Sequence, residues 1–233
     1  MNIFYAPPDQ IEGDQIELTQ QEARHAARVL RYREGDTITV VDGEGGWYEG
    51  IVRRILRNTA LIEITNRNRR EQRNPSLVMA MGIIKKRDRL EFAVEKAVEL
   101  GVGEIVLFRS EHTVKENVRV DRLRSTAVSA MKQSLRACLP SISVYPSVKE
   151  VIGKYSDSSP MLVARGAKDT SPGVPGEFKK MEKEIVLFVG PEGGFSQEEI
   201  ALFKANGARI VSLGSHRLRT ETAVVALLSQ FLR

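Results

Sequence analysis

After residue 76 the chain repeats one pattern: a short run of apolar β-formers, an amphipathic stretch, then another such run. "LVMAMGII", "EIVLFRS", "MLVAR", "EIVLFVG" and "ARIVSLG" are the runs. Between them lie "RDRLEFAVEKAVEL", closed by Gly101, and "DRLRSTAVSAMKQSLRA", ending near Pro140. A further helix opens at Ser196, and an apolar one starts at about Arg219. A strand that is apolar at successive positions has no polar face to offer water, so it is buried on both sides. Helices alternating with such strands supply both covers. The predicted architecture is therefore an α/β fold on a parallel sheet. Ligands of such sheets bind beyond the carboxyl ends of the strands.

Two strand ends stand out there. In "IVLFVGPEGGFSQEE", residues 185–199, an apolar strand empties into a loop with little side chain and one carboxylate. Pro191 fixes φ and removes a donor, while Gly193 and Gly194 allow positive φ and bare backbone contact. Ser196 followed by Glu199 reads as a capping box. An ordinary strand-to-helix turn needs at most one glycine and no acid. The next strand ends similarly, at Gly214 in "VSLGSHRLRTETAVVALL". One helix apart, the two loops are placed to build a cleft. Neither matches G-x-G-x-x-G or the P-loop pattern, which disfavours a dinucleotide site and a phosphate cradle. The expected ligand wants backbone contacts and an apolar slot.

Before residue 66 the chain reads as mostly β. "DTITVVD" and "TALIEIT" alternate, and "WYEGIVRRIL" lies between them after the turn "DGEGG". One helix, "QQEARHAARVLRY", follows an expected capping box of Thr19 and Glu22. Short strands with one helix suggest a small barrel, and the polar stretch 66–76 reads as a linker. Residues 1–76 hold 11 Arg, no Lys and 12 acids within a chain of net charge +5. Arg24, Arg28 and Arg31 fall at i, i+4 and i+7, a single helical stripe with Ala23, Ala27 and Leu30 toward the core. Three like charges in a row favour an anion across them, and phosphate contact is expected. Arg53, Arg54 and Arg57, and Arg67, Arg69, Arg70 and Arg73, are candidates to extend that surface. Cys138 is the only cysteine, which excludes a disulfide framework and a cysteine-rich zinc site. No stretch approaches the ~20 apolar residues of a membrane span. The amino terminus lacks the layout of a secretion signal, so a cytoplasmic location is expected.

"GPEGGFS" with "LGSHRLRTETA", preceded by "RLEFAVEKAVELGV", "MKQSLR" and "HAARVLRYREGD", resembles the RsmE family. These are SPOUT-superfamily methyltransferases acting on N3 of a uridine in 16S ribosomal RNA. The resemblance implies a PUA-like β-barrel over residues 1–70 that binds RNA. It implies a SPOUT domain over 76–233 whose carboxy-terminal chain forms a deep trefoil knot. It further implies a homodimer acting on 16S rRNA or the small ribosomal subunit, without metal. S-adenosylmethionine would be gripped by Gly190, Pro191, Glu192, Gly193, Gly194, Leu213, Gly214, Leu218, Arg219, Thr220 and Ala223. One departure is "SAMKQSLRACLP", where Gln133, Ser134 and Arg136 remain but Leu135 stands in place of the glycine of the family's Gln-Ser-Gly-Arg.

Uracil N3 carries a proton and is a poor nucleophile until that proton leaves, so a base or an anion stabiliser is required. N3 also lies on the pairing edge, so the target must be unpaired or splayed out. Arg219 is the candidate contact for the uracil oxygens or the cofactor carboxylate. Glu221 and Glu192 are candidate bases, although an acid in the first turn of a helix, as Glu221 is, also stabilises that helix. His216 reads as a solvated loop histidine, and His25 and His112 carry no partner pattern. Two other readings stay open: a SPOUT enzyme with another RNA target, and a non-catalytic RNA-binding assembly factor.

Overall fold

The computed structural model describes residues 2–70, 76–113, 117–166, 171–181 and 183–232. The chain divides into two compact units, Met1–Gln72 with Val128–Leu139, and Arg73–Ala127 with Pro140–Arg233.

The first unit holds β1 (Ile3–Tyr5), β2 (Ile11–Glu12), β3 (Gln15–Thr19), α1 (Gln20–Arg24), β4 (Thr37–Val41), β5 (Gly46–Ile55) and β6 (Thr59–Arg69). They form a six-stranded sheet in the order β1-β4-β5-β6-β3-β2. Only β1 and β4 pair in parallel. Inward residues at alternate positions make the core, among them Phe4, Ile16, Leu18, Ile38, Val40 and Ile62. At Gly50, beside a register shift, a Cβ would lie 2.5 Å from Ile62 Cγ2 and 2.6 Å from the Glu63 carbonyl oxygen. Close strand approach therefore selects glycine there.

Three expectations for this unit need correction. The stretch read as a linker from residue 66 is strand as far as Arg69, pairing with Gly46–Glu49. Both of its faces are exposed, so no apolar alternation marks it. Residues 71–75, including Arg73, lie outside the described residues. The Thr19–Glu22 capping box is absent. Thr19 Oγ1 instead accepts from Gln10 Nε2 at 3.0 Å, and Glu22 takes the Tyr5 N–H at 3.2 Å and Lys132 Nζ at 2.5 Å. Tertiary partners outcompete the local cap. Finally, the helix is α-type only through Arg24. A π-turn over His25–Val29 follows, with the Leu30 N–H donating to the His25 carbonyl, and Arg31 has φ +58°. Arg24, Arg28 and Arg31 are all exposed, but the wide turn takes them off a common α-helical face, and Ala26 rather than Ala27 is buried.

Residues 128–139 lace into this unit by backbone bonds. The Leu139 N–H donates to the Gly43 carbonyl at 2.8 Å, and the Gly45 N–H to Ala137 at 3.1 Å. Several arginines are engaged within the unit: Arg53 with Glu63, Arg67 with Asp14, and Arg70 stacked 3.3 Å over the Trp47 ring.

The second unit holds β7 (Leu77–Gly82), α2 (Arg87–Glu99), β8 (Glu104–Phe108), α3 (Val120–Gln133), β9 (Ser141–Tyr145), α4 (Val148–Tyr155) and β10 (Met161–Arg165). These are followed by β11 (Ser171–Pro172), α5 (Gly176–Lys179), β12 (Ile185–Val189), α6 (Gln197–Ala205), β13 (Arg209–Ser212) and α7 (Thr220–Ser229). α3 begins in this unit and ends in the first. The seven strands run in the order β11-β13-β10-β12-β7-β8-β9, all parallel. Every residue of β7 and of β12 is buried, as continuous apolar runs require. β9, α4, β11 and α5 were not expected: each is short, and β9 is a mixed edge strand with little apolar signal. α3 stops earlier than expected, at Gln133, because Leu135 turns the chain with φ +55°. Among the described residues no helix is long and apolar enough to cross a membrane.

Candidate active site

All seven strands of the second unit end at one edge of the sheet, and the loops leaving that edge build a cleft of about 890 Å³. Its wall comes from residues 164–166 at the end of β10, 189–195 from the end of β12 onward, and 213–219 after β13, with Thr220 and Ala223 of α7 and Arg89 of α2. β12 and β13 are not neighbours; each pairs with β10, which lies between them. The two glycine loops thus face each other across the end of a third strand. Sequence reading missed residues 164–166 because "MLVAR" carries no loop signal of its own. Arg89, inside a regular helix, was missed too.

The loop after β12 is held from below and from the side. Phe195 packs against Phe203 at 5.0 Å and stacks on Phe108 at 6.0 Å between ring centroids. The Gly194 N–H closes a turn onto the Pro191 carbonyl at 2.8 Å. Pro191 sits so close to β7 that a Cβ on Gly82 would be 2.4 Å from its Cδ. On the other side, a Cβ at Gly193 would be 2.6 Å from His112 Cβ, and His112 Nδ1 lies 3.3 Å from the Gly194 carbonyl oxygen. His112 therefore does have a partner pattern, one that only the fold reveals. The expected capping box is formed. Ser196 Oγ accepts from the Glu199 N–H at 3.2 Å, and Glu199 accepts from the Ser196 N–H at 2.8 Å. The same carboxylate also takes Ser110 Oγ–H at 2.9 Å and the Glu111 N–H at 3.0 Å.

The loop after β13 turns on Gly214 at φ +138°, with its N–H donating to Ser212 Oγ at 3.3 Å. Thr220 Oγ1, at the start of α7, donates to the Gly190 carbonyl at 3.0 Å and ties the two loops together in the interior. Arg217 reaches across to the Glu192 carbonyl at 2.9 Å.

Leu213, Gly214, Leu218, Arg219, Thr220 and Ala223 line the cleft together with Gly190, Pro191, Glu192, Gly193 and Gly194. A Cβ added at Gly194, whose φ is +74°, or at Gly214 meets no atom within 4 Å. Space of this size with backbone on two walls suits a nucleoside-containing ligand. The two candidate acids differ. Glu192 is exposed on the wall, and its carboxylate accepts the Lys85 N–H at 3.1 Å. Glu221 is not on the wall. It is buried at 8% exposure, with Oε1 3.5 Å from Arg89 Nε. His216 is exposed beside Ser215, 3.1 Å from its hydroxyl. Arg89, Arg165, Arg217 and Arg219 outnumber Glu192 on the wall, so the cleft favours anions.

Residues 71–232 match the family model described as an RNA methyltransferase domain, and residues 18–65 match the one described as an RNA methyltransferase PUA domain. The chain belongs to the RNA methyltransferase family. Among solved RNA methyltransferases, a probable rRNA-methyltransferase from Porphyromonas gingivalis is 32% identical. It has a TM-score of 0.88, with 98% of this chain and 96% of that one covered. The ribosomal RNA small subunit methyltransferase E of Neisseria gonorrhoeae, solved bound to S-adenosyl methionine, is 29% identical with a TM-score of 0.85. The match covers 98% of this chain and 95% of that one. The protein of the same name from Rickettsia conorii is 26% identical over 232 residues, 98% of this chain and 94% of that protein. The RsmE resemblance carried by the motifs agrees with the names of these relatives.

Proposed function

We propose that this RNA methyltransferase transfers a methyl group from S-adenosylmethionine to N3 of a uridine in 16S ribosomal RNA. The observation that carries the reading is the glycine-walled cleft at the strand ends, in a chain that matches an S-adenosylmethionine-bound methyltransferase E over nearly its whole length. In this reading the first unit is a PUA-like barrel for RNA, the second is a SPOUT domain, and the chain through the two glycine loops is knotted. The enzyme works as a homodimer in the cytoplasm, on 16S rRNA or the small ribosomal subunit. The exposed Arg24, Arg28 and Arg31 contact phosphates.

Bound S-adenosylmethionine supplies an electrophilic methyl group on a sulfonium. The chain's own contribution is position: near-attack geometry is worth up to about 7–11 kcal/mol. Gly190, Gly193, Gly194 and Gly214 offer backbone to the nucleoside, and Leu213, Leu218 and Ala223 offer apolar contact. Arg219, on the cleft wall, would hold the charged end of the donor or the uracil oxygens. The N3–H bond breaks with its proton passing to a base. The pair left on N3 would then accept the methyl group that bound S-adenosylmethionine would supply. Glu192 is the acid on the wall, and we assign proton removal to it; Glu221 lies behind the wall.

Titration calorimetry with S-adenosylmethionine tests the reading. The wild-type chain is expected to bind, and Gly194→Val to lose binding, because the side chain would enter the cleft at a positive φ. A wild-type chain that binds no S-adenosylmethionine, or a variant that binds normally, overturns it. Mass spectrometry of rRNA from cells lacking the protein should show one uridine methyl missing.

A further inference from the structure

Resting on the methyltransferase reading, we propose that Arg89 binds the uracil oxygen that gains charge as N3 loses its proton, and that Glu221 is the residue positioning Arg89.

Arg89 is the third residue of α2 and lies on the cleft wall. A cation in the first turn of a helix opposes the helix dipole, so helix stability does not call for arginine here. Its side chain is 24% exposed, enclosed yet open to the cleft. Among the described residues its charged partner is Glu221, at 3.5 Å from Nε. That distance is an ion pair rather than a hydrogen bond under ordinary criteria. No hydrogen bond joins its Nη atoms to another described residue, so none of the described residues claims the planar fork. Such a fork matches oxyanions and planar anions.

Glu221 carries the complementary anomaly. Its Oε2 is buried with no hydrogen-bond partner among the described residues, and its side chain is only 10% exposed. Leaving a buried acceptor without a partner costs about 1–3 kcal/mol. An exposed acid in the first turn of α7 would serve the dipole equally well at no such cost. The burial makes sense where the carboxylate's task is to aim Arg89, which approaches from α2 as that helix packs on α7. Charge developing on uracil O2 or O4 then meets a cation already oriented, the condition under which such a group speeds a reaction.

The experiment uses the full-length protein, Arg89→Gln, Arg89→Lys and Glu221→Gln, with thermal melts to verify folding. S-adenosylmethionine affinity is read by calorimetry, RNA affinity by its salt dependence, and methyl transfer by single-turnover rates from neutral to alkaline pH. Arg89→Gln is expected to leave both affinities unchanged and to lower the rate by about 10²–10³-fold. Its rate should keep rising at alkaline pH beyond the point where the wild type levels off, because the anion has lost its support. Arg89→Lys should restore part of the rate, and Glu221→Gln should show a smaller loss with the same alkaline displacement. A large loss of S-adenosylmethionine affinity in Arg89→Gln would instead assign the fork to the donor's carboxylate. A salt slope smaller by about one unit would assign it to an RNA phosphate. Wild-type rates with an unchanged pH profile would remove Arg89 altogether. Absence of S-adenosylmethionine binding in the wild-type protein would sink the methyltransferase reading itself, a result separate from all of these.

Discussion

At the scale of single residues, the shape of the cleft is set where side chains are missing. Gly82 ends β7 against Pro191, and an added Cβ would fall 2.4 Å from its Cδ and 2.5 Å from its backbone nitrogen. Backbone cannot step aside as a flexible side chain can. Gly82→Ala is therefore expected to destabilise the chain by about 1–3 kcal/mol, as overpacked sites do. It should also weaken S-adenosylmethionine binding by displacing the loop. Urea denaturation and calorimetry check the two effects, and a fully stable variant with normal affinity would show that Pro191 moves freely. Gly193 is constrained differently, by the side chain and above all the Cβ of His112, a residue that no local pattern in the sequence connects to it.

Among the elements, α6 shows how one carboxylate can serve two purposes. Glu199 closes the capping box and also receives Ser110 Oγ and the Glu111 N–H from the loop after β8. Ser196→Ala removes only the cap and should cost about 1 kcal/mol. Glu199→Ala leaves several donors without an acceptor and should cost more, about 2–4 kcal/mol. Chemical denaturation of the two variants measures the difference, and equal losses would confine Glu199 to the cap. The capping box was legible in the sequence because both partners lie within one helical turn. The link to Ser110 was not, because 89 positions separate the residues. The same reasoning explains the absent cap at Thr19, where Gln10 bonds Thr19 and Tyr5 and Lys132 bond Glu22 from outside the helical turn. The strands β7, β8, β10, β12 and β13 were legible from apolar runs alone, although only β7 and β12 are buried throughout, while β6 past residue 65 was hidden by having two exposed faces. The arginines around the π-turn give a further prediction. Changing Arg24, Arg28 and Arg31 to Glu should weaken RNA binding and flatten its salt dependence, with S-adenosylmethionine affinity untouched. Filter binding across a salt series checks this, and an unaltered slope would leave these residues as ordinary solvated charges.

For the molecule as a whole, the two units do not follow the order of the chain. Residues 128–139 belong to the first unit, where Lys132 meets Glu22 and Leu139 bonds to Gly43. A fragment of residues 1–72 lacks these partners and is expected to lose a cooperative thermal transition. Adding the peptide 128–139 should restore part of it, and circular dichroism melts decide; a fragment that melts sharply alone would show the strip to be dispensable. During translation, the first seventy residues leave the ribosome well before the strip that completes them. On the same expectation the amino-terminal unit closes only after β7, α2, β8 and α3 are synthesised, so its completion is timed by the emergence of residues 128–139.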